Sequence, residues 1–259
     1  GGRPLLVSAD AEEAKGGALA GSLGLPTDRP FSLQVQAKGE GPQGRFTALA
    51  TSGAIKPVEA SGAWNKQGGS AQGRVLLNAS TLTKELVERL GPEAQFTISG
   101  REAGASLYDL DAQVTSANLA VTAKGKANLG ERRTGPAGVA MTAAAKELSK
   151  VTGGPPMGLG RVEGVLTGNA DDLRFAGTAD VARLKLGDYG LDRVSGPFVL
   201  TRRDRVVAIA GKIAGAGGRG SGLAAALLGA RPTASFDASR LADGRLLLRD
   251  VQATGVGLK

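Results

Sequence analysis

The chain has 259 residues and 41% of them are hydrophobic, which is enough apolar material to form the core of one or two ordinary domains. It contains neither cysteine nor histidine, which excludes disulfides, thiolate or imidazole metal sites, and catalytic triads that need a histidine base. A net charge of +8 suits an anionic partner, but the basic residues are dispersed and only 3% of the chain is aromatic, so no nucleic-acid partner is expected.

Most of the chain alternates between apolar and polar residues with a period of two, which predicts half-buried β-strands. The clearest run is FSLQVQAK, and Gly, Asp, Asn or Pro separates most of the runs that follow, as hairpin connections require. We expect a mainly β fold. The apolar members of these strands include Phe31, Leu33, Val35, Phe96, Ile98, Leu110, Val114, Leu119, Val121, Val139, Met141, Leu173, Phe175, Val207, Ile209 and Phe236.

Three short segments show a helical period instead. The first is STLTKELVERLGP, with Ser80 as a candidate N-cap and Gly91 as the stop signal; the others are AAAKELSKVTGGPP and SGLAAALLGARP. These helices divide the chain into four predicted segments of a degenerate repeat: strands over 1–79, then a short helix plus strands over 80–142, 143–220 and 221–259. We expect all four segments to belong to one continuous groove.

The stretch around Gly215, Gly217 and Gly220 matches the G-x-G-x-x-G pattern of dinucleotide-binding turns. A dinucleotide fold places that turn between parallel strands, whereas the upstream strands alternate like antiparallel ones with one wet face. We therefore predict that Gly215 to Gly222 form a bend from a strand into a short helix, and that no nucleotide binds there.

No catalytic constellation emerges from the sequence. The carboxylate pairs Asp109/Asp111 and Asp171/Asp172 fall on wet strand faces or in turns, where solvation explains them better than acid–base chemistry. Trp64 is interpreted as an edge or core residue rather than a sugar platform. The expectation is a protein that is not an enzyme and has no catalytic residues, no metal and no cofactor.

A long series of strands with one apolar face must hide that face. The predicted helices are too short to cover it. The alternatives are a second packed sheet, a closed barrel, a coil of parallel strands, or a sheet curled into a trough that holds something else. Frequent glycine favours strong curvature. The sequence therefore favours a long, curled, largely antiparallel sheet with an apolar groove, and a dry sandwich remains the alternative.

Several phrases carry a family resemblance across nearly the whole chain: GGALAGSLGLPTDRPFSLQVQAKG, LTKELVERLGPEAQF, VEGVLTGNADDLRFAGTADV, LDRVSGPFVL and LLGARPTASFDASRLADGRLLLRDVQATGVGL. The chain resembles TamB-type proteins (the inner-membrane component of the translocation and assembly module) of the AsmA-like superfamily, of the alphaproteobacterial type. The resemblance implies a taco-like apolar groove with short helices between strand groups. It also implies that the chain is an internal piece of a longer protein.

The resemblance further implies a periplasmic location, with the full-length protein anchored in the inner membrane. Its expected function is to conduct phospholipid acyl chains between the inner and outer membranes, linked to outer-membrane biogenesis. Phospholipids are the expected partners, together with an outer-membrane barrel of the TamA type that would contact a region outside this chain. Two alternatives remain open: a groove chaperone for outer-membrane protein or autotransporter assembly, and a structural β-solenoid or adhesin segment.

Overall fold

The computed structural model describes residues 4–104 and 106–257, and within them the chain forms sixteen strands and four short helices. The fold is mainly β, as predicted. The strand bounds are β1 Pro4–Glu13, β2 Phe31–Glu40, β3 Gln43–Ser52, β4 Ile55–Asn65, β5 Gly68–Leu76, β6 Glu93–Gly104, β7 Leu107–Ser116, β8 Leu119–Asn128, β9 Arg133–Ala145, β10 Gly160–Gly168, β11 Asp172–Leu186, β12 Tyr189–Arg203, β13 Val206–Ala216, β14 Arg219–Gly220, β15 Thr233–Arg240 and β16 Leu246–Thr254.

The strands pair in chain order within one antiparallel sheet, except that the two-residue β14 adds to β12. This order arises because most connections are tight turns, which place each strand beside its predecessor. Among the described strands, β1 pairs only with β2 and β16 pairs only with β15, so the sheet is not closed into a barrel. The predicted antiparallel sheet is confirmed, and the alternative of a coil of parallel strands is not what forms.

The chain divides into two compact units, Gly1–Thr122 and Ala123–Lys259, and the division falls within β8. The first unit contains β1 to β7 and the second contains β9 to β16. The fourfold segmentation expected from the sequence is a finer division than these two units, and it stays a prediction.

The helices are α1 Ala18–Ser22, α2 Lys84–Leu90, α3 Leu148–Thr152 and α4 Gly222–Leu228. The last three confirm the helical segments predicted from the sequence, and Gly91 closes α2 at a φ of 101°. The Ser80 hydroxyl accepts a hydrogen bond from the Leu82 amide, but it caps a 3-10 turn over Thr81–Thr83 that leads into α2. The first helix, α1, was not predicted.

Within each unit the helices lie at a single end of the strands. In the first unit, α1 connects β1 to β2 and α2 connects β5 to β6; both connections leave from the end of the sheet opposite the β2–β3, β4–β5 and β6–β7 turns. In the second unit, α3 follows β9, and α4 follows β13 and the short β14; both helices lie opposite the β10–β11 and β12–β13 turns. In each unit, we call the end of the strands where the helices lie the helix end, and the opposite end the turn end.

The glycine motif leads from a strand into a short helix, as predicted, although the two-residue strand β14 within it was not predicted. Gly215 lies in β13, Gly217 lies in the turn that follows it, and Gly220 lies in β14, immediately before α4. The strands that flank the motif, β13 and β15, are antiparallel to each other. A dinucleotide-binding βαβ unit is therefore not present here.

Candidate functional site: an exposed apolar sheet face

In the first unit the strand register gathers the apolar residues of seven strands on one face. Directly paired residues of an antiparallel sheet project to the same side. One row across the strands is Val7, Ala37, Phe46, Gly62, Ala71, Ile98 and Ala112. The neighbouring row is Ala9, Val35, Ala48, Ala60, Gly73, Phe96 and Val114. We call this surface the apolar face of the first unit.

The second unit has an apolar face of the same kind. One row reads Val139, Leu166, Phe175, Leu200, Ile209, Ala238 and Leu248 across seven strands. The rings of Phe175 and Phe198 meet on this face, with centroids 5.6 Å apart and a tilt of 38° between their planes. A one-residue slip of any strand would move its apolar set to the opposite face, so this burial pattern holds the register.

Glycines on the apolar faces lie beneath aromatic rings. A β-carbon built on Gly73 would lie 2.8 Å from the Phe96 ring of the neighbouring strand, and one on Gly211 would lie 2.9 Å from the Phe236 ring. The glycines thus let the few large side chains lie down across a neighbouring strand. The apolar faces are therefore flatter than they would be if their Phe, Trp and Leu side chains stood upright on the sheet.

The opposite faces carry polar and charged residues in cross-strand pairs. Arg74 forms an ion pair with Glu59 and a longer one with Glu93, at 3.7 Å. In the second unit the Arg193 guanidinium donates two hydrogen bonds to Asp180, and these bonds lower the pKa of that carboxyl group. Each of these exposed ion pairs contributes little to the stability of the fold, but together they identify these faces as the solvent-exposed, polar side of the sheet.

At the helix end of the first unit, the apolar face is closed by a small core. Phe31 and Ala50 of the sheet pack there with Ala20 of α1 and with Leu25 and Ala79 of the connections. The Glu13 carboxylate accepts hydrogen bonds from the Leu19 amide at 2.7 Å and the Ala20 amide at 2.9 Å. These bonds lower the pKa of Glu13 and hold α1 against β1.

The helix end of the second unit is closed in the same way. Tyr189, Leu191 and Val194 form its core, against which Leu184 and Ile213 of the sheet and Ala224, Ala225 and Leu228 of α4 pack. Tyr189 is 1% exposed, and its hydroxyl donates a 2.7 Å hydrogen bond to the Gly229 carbonyl oxygen at the end of α4. Burial raises the pKa of this phenol.

Away from these two cores, the apolar faces are not covered by the described chain. Leu33 of β2 is 37% exposed, Ile98 of β6 46% and Val114 of β7 44%, although each lies on the apolar side of a strand that has a neighbour on both sides. Val207 in the second unit is 36% exposed. In a dry sandwich these residues would be packed against a second layer, so within each unit the described residues do not form one.

The residues predicted to line the groove lie where the alternation places them. Phe31, Leu33, Val35, Phe96, Ile98, Leu110 and Val114 share the apolar face of the first unit. Val139, Met141, Leu173, Phe175, Val207, Ile209 and Phe236 share that of the second. Leu119 and Val121 are half-buried on one side of β8. Only Phe31 and Val139 of these sixteen are buried.

Sequence reasoning left out several members of the same faces. Phe46 and Trp64 belong to the first unit, and Phe198 and Leu200 belong to the second. The same two-residue alternation marks them in RFTALAT and GPFVLTR. Trp64 was interpreted as an edge or core residue; it is half-buried on the apolar face, at the turn end of β4.

Across 4–104 and 106–257, no three acidic side chains gather in a way that would hold a metal ion. Asp172 of the Asp171/Asp172 pair forms a 3.0 Å ion pair with Arg203. The longest helices in the described chain, α2 and α4, have seven residues each, so none reaches the length that spans a membrane.

Comparisons with protein-family models, with curated proteins and with solved structures find no match to this chain.

Proposed function

We propose that the chain is a segment of a TamB-type, bridge-like periplasmic protein whose apolar sheet faces carry the acyl chains of phospholipids between the inner and outer membranes. The observation that carries the proposal is the pair of apolar faces, each seven strands wide, whose side chains are for the most part only half-buried and include exposed ones such as Leu33, Ile98 and Val207. Apolar patches of this extent on a soluble surface mark binding sites.

The energetics suit an acyl chain. Exposing a chain of about sixteen carbons to water costs on the order of 12 kcal/mol, at roughly 0.8 kcal/mol per methylene. A surface of Ala, Val, Leu, Ile and Phe removes much of that cost and offers few polar groups that would fix one position. Neighbouring positions therefore have similar affinities, and a bound chain can slide along the face without a deep trap.

The test is to find out what occupies the face and on which side of the sheet. A photo-crosslinking residue replaces Val35 on the apolar face, and the matched control replaces Gln34, its neighbour on the polar face. The protein is isolated from a bacterial periplasm, freed of detergent and irradiated, and the adducts are identified by mass spectrometry. We expect phospholipid at position 35 and none at position 34.

Two other results would each redirect the assignment. Crosslinks from position 35 to unfolded outer-membrane polypeptides, without lipid, would favour a strand chaperone. The absence of any adduct at position 35 would count against both cargoes and favour a structural role.

A further inference from the structure

We infer that each apolar face binds its lipid in one orientation, with the headgroup at the turn end, and that Arg202 and Arg240 select an anionic phospholipid in the second unit. The inference rests on the proposed function, because it concerns the same faces. The inference is based on a few side chains with polar or charged end groups, which the strand register places on the otherwise apolar faces.

In the second unit, two arginines lie on the apolar face at its turn end. Arg202 pairs with Val207, and Val207 pairs with Arg240 on the other side. All three residues therefore project to the same face, in a row that continues with Leu173 and Leu246 at its two ends. This row lies beside the β12–β13 turn, at the turn end.

The arginine pair is placed to bind an anion. The two α-carbons are separated by two strand spacings, or about 10 Å, and the long side chains can converge on a single phosphate. Both side chains are exposed, and neither has an ion pair with another residue of the described chain. By contrast, the adjacent Arg203, on the polar face, is paired with Asp172. Guanidinium groups bind phosphate oxygens through two parallel hydrogen bonds.

The first unit has amphipathic aromatic residues at its turn end, together with Glu102, which pairs with Tyr108 on the same face. Trp64 and Tyr108 lie on its apolar face at the turn end, in β4 next to the β4–β5 turn and in β7 next to the β6–β7 turn. Both residues combine an apolar body with a polar tip, which is the combination found where hydrocarbon meets water. The phenylalanines Phe46 and Phe96 occupy the interior of the face.

At the helix ends, two polar groups close to the apolar faces are already engaged in hydrogen bonds. Glu13 lies there on the apolar side, but its carboxylate is occupied by two amides of α1. The Tyr189 hydroxyl is occupied by the Gly229 carbonyl oxygen, and the cores that close these ends are apolar. A lipid on either face therefore has its acyl chains toward the helix end and its headgroup toward the turn end.

Headgroup selection is tested with two phospholipids that share their acyl chains and differ in the headgroup, one anionic and one zwitterionic. Phosphatidylglycerol and phosphatidylcholine with the same fluorescent acyl chain are titrated into the wild-type chain and into R202Q/R240Q. The matched control is R174Q/R203Q, which removes the same charge from the same end but from the polar face, because Arg174 pairs with Thr201 there. Circular dichroism confirms that all three proteins fold.

We expect the wild type and the control to prefer phosphatidylglycerol, and R202Q/R240Q to lose about two- to fivefold in affinity for it per arginine. The loss should shrink at high salt. Equal binding of the two lipids, or an unchanged preference in R202Q/R240Q, would overturn the role of the arginines and leave the proposed function standing. Failure of the wild type to bind either lipid would overturn both.

Orientation is tested through Trp64, which is the only tryptophan of the chain. Phosphatidylglycerol brominated close to the ester groups is compared with the same lipid brominated close to the terminal methyl groups, as quenchers of Trp64 fluorescence. We expect stronger quenching from bromine near the esters. Equal quenching, or stronger quenching from bromine at the chain ends, would overturn the assigned orientation even where both lipids bind.

Discussion

Replacing Ile98 by alanine should weaken acyl-chain binding by about fivefold. Ile98 lies in the middle of β6 on the apolar face, between two alanines, Ala71 and Ala112, and 46% of it is exposed. Fully burying an isoleucine side chain yields about 1.5–3 kcal/mol. Burial of the exposed fraction beneath a ligand then contributes roughly 1 kcal/mol, and this corresponds to about fivefold in the dissociation constant.

The assay is titration of a phospholipid with a fluorescent acyl chain into wild-type and I98A protein. The control is Thr97→Ala, which truncates the preceding residue on the polar face and should leave the affinity unchanged. The part of Ile98 that is already covered also contributes to folding, so I98A should lose about 1 kcal/mol of stability in urea denaturation. Wild-type affinity in folded I98A would refute the idea that a ligand covers this face at Ile98.

Three further changes probe the helix ends and the face. Tyr189→Phe removes the hydrogen bond to Gly229 and should destabilise the second unit by about 1 kcal/mol in urea denaturation; an unchanged midpoint would show that this bond adds nothing. Glu13 has a lowered pKa, so its contribution to stability is present at neutral pH and is lost as the pH falls below about 4. Glu13→Gln should flatten the melting temperature over that range, and a profile identical to that of the wild type would contradict the role given to Glu13. Val35→Asp should abolish lipid transfer between vesicles while the protein stays folded, because a carboxylate would then lie under the acyl chain. The matched control Gln36→Asp should transfer normally; equal transfer by both variants would remove Val35 from the lipid path.

Local sequence pattern was sufficient for the strands and for three of the helices. The alternation in FSLQVQAK, for example, predicts β2 and the side of it on which Leu33 and Val35 lie. Helix α1 was missed because ALAGS is short, contains glycine and has no side-chain cap. Its stability comes from Glu13 and from the packing of Ala20 against Phe31, and neither contact is visible in a local window.

The location of two arginines on the apolar face could be recognised only from the strand register. The sequence alone does not distinguish Arg202 and Arg240 from the other basic residues of the chain, since both lie close to other charged residues. The pairing of each of them with Val207 places both on the apolar face. The many glycines suggested curvature, and the structure gives some of them a second role, as the space beneath Phe96 and Phe236.

The sequence by itself thus determined the type of each element and the two-sided character of each strand, because side-chain direction alternates strictly along an extended chain. Only the tertiary structure decided which strand faces adjoin, where the helices close them and which side chains stay exposed. These properties depend on pairings between strands whose registers follow from hairpin geometry and from the burial of whole rows of side chains.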